Sequence, residues 1–286
     1  MVESKAKVNS KECSELGFNK ILLNTSNEIF SVITIILVFG FIIALSLPAL
    51  SLLKYSGFTG LIDILKQEDT KSCILLSLQT SFLSLFLIFL LGTTTVFYLH
   101  QIKNQVLYKI LDILIEIPIV FPPAVAGLGL LMTFGQSGII GRLANSYGFP
   151  IVFTQAAVVI AQLFVSSSYY IRIVSNALNE VPLELFEASY VFGAGKRKTM
   201  FYIIIPMIKK YIISGLILAW IRALGEFGAT MMFAGNVQGI TRTIPLQIYS
   251  YMQTDLSKAT ALAALMYILS FTMLIFVRFI TKETEQ

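Results

Sequence analysis

Glu187-Ala188-Ser189, three residues, Gly193, nine residues and then Ile203-Ile204-Ile205-Pro206 make up a polar segment between two long apolar stretches. A water-facing helix–turn–helix between two such stretches has to meet something there. Pro182 suits the first turn of a helix. Glu184 to Phe192 then reads as a short amphipathic helix. Its Leu185, Phe186, Tyr190 and Phe192 are too bulky and apolar for an idle loop. Gly193 and Gly195 end that helix, and Lys196-Arg197-Lys198 opens a second helical stretch that returns to the membrane at Pro206. The small pair Ala188-Ser189 beside a glycine elbow lets another protein approach the backbone, and Glu187 offers a charge. The simpler alternative is an interfacial helix between two spans.

The surroundings of this segment read as membrane. The chain has 286 residues, of which 56% are hydrophobic and 13% charged, with a mean hydropathy of +0.79. A soluble domain carries about 25% charged residues, so an integral membrane protein is indicated. Crossing about 30 Å of hydrocarbon takes roughly 20 apolar residues. Six windows meet that length: Glu28–Leu53, Ile74–Leu99, Ile113–Phe134, Ile151–Val174, Tyr202–Ala234 and Ala259–Ile280. The fifth is too long for one span, and its beginning, Tyr202–Lys210, is assigned to the interface or to the end of the polar segment.

The net charge of +5 reflects side rather than nucleic-acid binding. With both termini inside, Lys5, Lys7, Lys11 and Lys20, the Lys103/Lys109 pair, Arg172, the Lys196–Lys210 group, Arg278 and Lys282 share one side. The opposite loops hold only Lys54, Lys66, Lys71, Arg142, Arg242 and Lys258. The positive-inside rule then puts both ends in the cytoplasm. The first 28 residues mix lysines with Glu3, Glu12, Glu15 and Glu28 and read as a tail rather than a leader. Cys13 and Cys73 fall on opposite sides and cannot pair. His100 alone builds no metal site. Of the outer loops, Gly57–Ser72 reads as a short interfacial helix, Gly135–Pro150 as irregular, and Asn236–Lys258 as carrying an amphipathic stretch from Ile244 to Tyr249.

Two spans contain unusual chemistry. Pro118, Pro122 and Pro123 remove helix hydrogen bonds within span three, giving a kink or a break. Such a break suits either a cavity-lining helix or simple packing. In span five, Arg222 and Glu226 stand four apart, so a helix places them on one face where they can pair. Intramembrane charges face a bundle interior or a water path. The pair is therefore either a gate in the path or a neutralised lock between helices. Gly225 and Gly228 allow close helix contact. No Gly-x-x-x-x-Gly-Lys-Ser/Thr loop is present, so the chain shows no cradle of its own for nucleotide phosphates. Nor does the sequence suggest a nucleophile–base pair.

The spacing of the polar segment resembles the cytoplasmic loop of importer-type ABC transporter permeases. That pattern is Glu-Ala-Ala, three residues, Gly, nine residues, Ile, one residue, Leu-Pro; here Ser189 replaces the second Ala and Ile205 the Leu. Phe121-Pro122-Pro123-Ala124-Val125-Ala126-Gly127-Leu128, the run Arg222 to Asn236, and Thr241 to Tyr249 are similar to permeases for tetrahedral oxyanions, the sulfate/thiosulfate and molybdate/tungstate group. The resemblance spans roughly Thr80 to Phe276. It implies an all-α polytopic membrane protein with about six transmembrane helices and the type I ABC importer permease fold. The permease domain would cover 29–280, with a coupling loop at about 182–206 and cytoplasmic tails at 1–28 and 281–286. Coupling to the ATPase would fall to Glu187, Ala188, Ser189, Gly193, Ala194 and Pro206. The translocation path or gate would involve Pro122, Pro123, Gly127, Arg222, Glu226 and Gly228.

No catalytic residue, metal or cofactor is expected, since ATP hydrolysis would belong to separate ATPase subunits. The other implied partners are a second permease, identical or related, an extracytoplasmic substrate-binding protein and the lipid membrane, with no nucleic acid. The membrane would be a bacterial plasma membrane or a plastid membrane, with both termini on the cytoplasmic or stromal side. Competing classes are a membrane scaffold that moves nothing, a permease for another solute, and a secondary transporter, which predicts a repeat-related pair of broken spans.

Overall fold

The computed structural model describes residues 2–282, with side chains for residues 30–279. The tail assignments over 1–28 and 281–286, and Cys13 with them, lie outside the described side chains. All regular structure among the described residues is helical. The chain divides into two compact units, Met1–Lys54 and Tyr55–Gln286.

The helix α1 (Val2–Lys66) breaks only at Gly57, whose φ of 60° and ψ of 167° leave helical space. From Phe30 to Leu50 its large apolar side chains are all exposed, Phe30 by 72% and Leu37 by 67%. A helix that is apolar all round and bare of protein cover is a membrane span.

The second unit is built on α7 (Gln155–Asn179). Against it pack α2 (Glu68–Leu87), α3 (Thr93–Gln101), α4 (Gln105–Val120), α10 (Ile205–Leu224) and the short α11 (Gly228–Phe233). Small residues bring these helices close. Tyr170 of α7 is fully buried between two glycines. A Cβ at Gly92 would stand 2.7 Å from its ring, and one at Gly215 would stand 3.2 Å from it. The Tyr170 hydroxyl and Thr93 Oγ1 lie 2.6 Å apart, which supplies the polar partner a buried phenol needs. Gly92 ends a π-helical turn, Ile88–Gly92, that joins α2 to α3 in one continuous span. The indole N–H of Trp220 donates to Ser81 Oγ at 2.9 Å and ties α10 to α2.

Five helices are long and apolar enough to cross a membrane, and six spans result if one bent pair counts as a span. That pair is α4 with α5 (Pro123–Phe134), bent by 114° at the break between them. Proline chemistry explains the corner. Phe121 precedes a proline and is extended, with φ −68° and ψ 127°. Pro123 takes the first turn of α5, where its missing N–H costs nothing. The expected kink or break is thus a full break, and the span begins at Gln105 rather than Ile113.

Two other expectations change. Span five ends before its apolar window does: the helix runs unbroken from Lys196 to Leu224, and Gly225–Phe227 separates it from α11. Tyr202–Lys210 is continuous with the span-length helix. Pro206 cannot donate to the Tyr202 carbonyl. The chain accommodates this with a π-helical turn, Met200–Ile204, in which Ile205 N–H reaches back to the Met200 carbonyl. The second is at Gly135–Pro150, which is not irregular throughout. It contains α6 (Ile139–Ser146), because Gly141 fits where a Cβ would stand 1.8 Å from the Gly135 carbonyl oxygen. The amphipathic stretch after Thr243 forms α12 (Ile244–Thr254), and α13 (Leu256–Lys282) closes the chain.

Candidate coupling loop and path residues

The polar segment forms α8 (Leu183–Val191), a glycine turn and α9 (Lys196–Thr199). Periodicity divides α8 into two faces. Phe186 and Ser189 point inward and are buried. Glu187, Ala188 and Val191 point outward and are exposed. Phe186 joins the core formed by Tyr170, Val174, Leu178, Ile204 and Ile208, so the loop is fixed to the helices on which it stands.

The turn after α8 has a fixed hydrogen-bond pattern. Ala194 N–H donates to Ser189 O at 2.9 Å and Gly193 N–H to Tyr190 O at 3.0 Å. These are the two bonds of a Schellman cap, which needs a left-handed residue at its corner. Gly193 is that residue, with φ of +78°. Its surroundings are open, so conformation rather than space calls for glycine. Ser189 lies inside the loop: its hydroxyl donates to Phe186 O at 2.7 Å and lies 2.8 Å from Thr199 Oγ1, binding α8 to α9. The two members of the small pair thus face opposite ways, with Ala188 outward and Ser189 inward. Beside Ala188 stand Val191, 84% exposed, and Phe192, 89% exposed. Pro206 lies seven residues beyond Thr199 in the spanning helix.

The second group of residues comes together at the broken span. Gly228, opening α11, rests on Pro123, since a Cβ there would stand 2.6 Å from the proline's own. A Cβ on Gly127 would stand 2.7 Å from both the Ala229 carbonyl and the Met232 side chain. Backbones of α5 and α11 therefore touch, as small residues permit. Glu226 is 1% exposed and belongs to the linker between α10 and α11, not to a helix. One of its oxygens accepts from Ala229 N–H at 2.7 Å, and the other accepts from Arg222 Nη1 at 2.7 Å. The Arg222–Glu226 pair expected on a single helix face therefore forms across a helix end. Glu226 also caps α11, which favours an anion at its N-terminus. Pro122 forms the exposed corner of the bend.

One constellation escaped the sequence reading. Arg172, which orientation counting treats as a loop charge, lies in α7. It pairs with Asp112 at 3.2 Å and with Glu116, both on α4. Ser168, one turn earlier, donates to Ile115 O at 2.6 Å. Two carboxylates four residues apart in the apolar part of α4 were the available signal.

Comparison with known proteins agrees with this architecture. Residues 101–286 match the family described as binding-protein-dependent transport system inner membrane component. The chain is 47% identical over 276 residues, 96% of each chain, to a "Probable transport system permease protein NifC" of Clostridium pasteurianum. It is 36% identical over 207 residues, 72% of this chain and 78% of the relative, to a "Molybdenum transport system permease protein ModB" of Mycobacterium bovis. With a "Probable sulfate transport system permease protein cysT" of Chlorokybus atmophyticus it shares 32% over 178 residues, 62% of each. Among solved structures, a chain of a bacterial alginate ABC transporter in complex with its pentasaccharide-bound periplasmic protein superposes with a TM-score of 0.67. The identity is 18%, and the match covers 88% of this chain and 92% of that one. A chain of the MetNI methionine ABC transporter, in inward-facing conformation, gives 0.59 at 19% identity, covering 74% and 94%. The fold is that of type I ABC importer permeases, and the chain is a multi-pass membrane protein belonging to the binding-protein-dependent family of ABC transporter permeases.

Proposed function

We propose that this permease carries a tetrahedral oxyanion of the sulfate/thiosulfate or molybdate/tungstate group, driven by ATPase subunits that dock on the 182–206 loop. The observation that carries the docking role is the bare apolar edge Ala188, Val191 and Phe192 beside Glu187. An apolar patch on a water-facing loop marks an interaction surface, and Phe186 anchors this one in the helix core. Force applied to α8 is then transmitted to α7 and α10 rather than absorbed by a loose loop. Gly193 and Ala194 hold the turn, Ser189 binds α8 to α9, and Pro206 with its π-helical turn leads the chain into the span.

The transport cycle follows from this rigidity. Two permeases, identical or related, surround the path, and ATP binding draws their loops together. Rigid-body rocking then opens the path to the outside, where an extracytoplasmic binding protein releases its anion. The broken span at Pro122 and Pro123, locked to α11 through Gly127 and Gly228, places irregular backbone where a path can use it. The Glu226 carboxylate neutralises Arg222, so this pair offers no isolated positive charge in which an anion would lodge. The 29–280 domain crosses a bacterial plasma membrane or a plastid membrane, with the 1–28 and 281–286 tails on the loop's side. Similarity to permeases of both the molybdenum and the sulfate systems supports an oxyanion substrate.

Uptake of labelled molybdate and labelled sulfate, in competition, in a strain lacking its own permeases for both tests this reading. One of the two should accumulate only when the chain, its ATPase and its binding protein are present together. Accumulation of neither would remove the oxyanion assignment.

A further inference from the structure

A cavity of about 630 Å³ opens between the end of α3 and the α8–α9 loop. Exposed Lys103, Lys196 and Arg197 line it, together with buried or half-buried Phe97, Phe186 and Met200. No carboxylate lines it. None of the three cations has an ion-pair partner among the described residues. Lys196 and Arg197 also occupy the first turn of the Lys196–Leu224 helix, where the helix dipole disfavours cations. They therefore weaken the helix end and are free to serve another charge. The walls are the last turns of one membrane span and the first turns of another. Phe201, which lines the cavity, and Tyr98 and Tyr202, each next in sequence to a lining residue, are all more than half exposed. Exposed aromatics at span ends mark the headgroup region of a bilayer.

We propose that this cavity binds the headgroup and upper acyl chain of an anionic phospholipid. Three unpaired cations suit the phosphodiester, and the apolar lining suits the chain. A free hydrated anion would gain nothing from Phe97, Phe186 and Met200. Basic pockets between spans on the cytoplasmic side take such headgroups. The proposal rests on the loop lying at the cytoplasmic face, as in the coupling reading. The lipid would contact Phe186, which is buried in the core, and Tyr190, and so would stiffen the base of the loop.

The test uses the permease with its ATPase in nanodiscs containing equal phosphatidylglycerol and phosphatidylcholine, with retained lipid read by native mass spectrometry. Wild type should retain phosphatidylglycerol preferentially. Each Lys or Arg near an anionic surface is worth about fivefold in affinity. The variant Lys103→Gln/Lys196→Gln/Arg197→Gln should therefore lose at least about tenfold of that preference. Met200→Trp keeps all three charges but fills the space, and should lose it as well. Unchanged preference in either variant overturns the proposal, as does displacement of the lipid by excess inorganic phosphate or sulfate. Loss of the ATPase from the triple variant with lipid retention intact would assign the cavity to the ATPase instead. A Lys198→Cys variant labelled only from outside the cell would sink the coupling reading itself, a separate outcome from the lipid measurement.

Discussion

At Gly193 a single backbone angle shapes the loop. An L-residue with a Cβ in the left-handed region loses about 1–2 kcal/mol, and the φ of +78° at this position places that cost on the Schellman cap. Gly193→Ala should lower the substrate-stimulated ATP hydrolysis of the assembled transporter severalfold without affecting membrane insertion. Gly193→Asn, which tolerates the same angle, should retain most of it. Equal loss in both variants would mean that the backbone angle is not what matters there. Glu226 presents a different case. It is almost fully buried and serves both Arg222 and the first turn of α11. Removing one partner of a buried pair leaves the other charge uncompensated. Arg222→Gln should therefore lower thermal stability in detergent more than Arg222→Gln together with Glu226→Gln. The difference should be on the order of 1–2 kcal/mol, below the fully buried figure because Arg222 is 28% exposed. A double variant clearly less stable than the single one would refute the pairing argument.

At the scale of elements, the α5–α11 contact is the tightest in the path region. The atoms facing Gly127 are the α11 backbone at Ala229 and the Cβ of Met232, none of which a rotamer change can move. Gly127→Val should cost about 1–3 kcal/mol through overpacking and abolish uptake. At Gly129, where a Cβ would meet nothing within 4 Å, Ala should be neutral in the same uptake assay. The sequence showed that prolines interrupt this span, because proline lacks an N–H wherever it stands. It did not show the size of the bend, 114°, or that α11 rests against Pro123 and Gly127 on its α5 side. The same distinction applies to span five. Its apolar length was plain, but not that the helix ends at Gly225-Glu226-Phe227, where Glu226 is buried and accepts from the Ala229 N–H. The Arg172 contact with Asp112 and Glu116 was hidden for a related reason. Charges near a span end look like loop charges until a neighbouring helix is seen to supply the counter-charge.

For the whole molecule, the exposed edge of α8 is where assembly acts. Phe192→Asp or Glu187→Arg should abolish co-purification of the ATPase while the permease still inserts and purifies as a stable protein. Undiminished co-purification with both variants would leave the loop without its proposed role. Three properties were already settled along the chain: membrane residence, helical class and the position of the loop. Each follows from local chemistry, because apolar windows, basic flanks and glycine or proline at set spacings act whatever their neighbours do. The direction each loop side chain faces, the inward Ser189 against the outward Ala188, and the meeting of Pro123 with Gly228 were not. These depend on contacts between residues up to about a hundred positions apart, and only packing α5, α7 and α11 together selects among the arrangements that local preference leaves open.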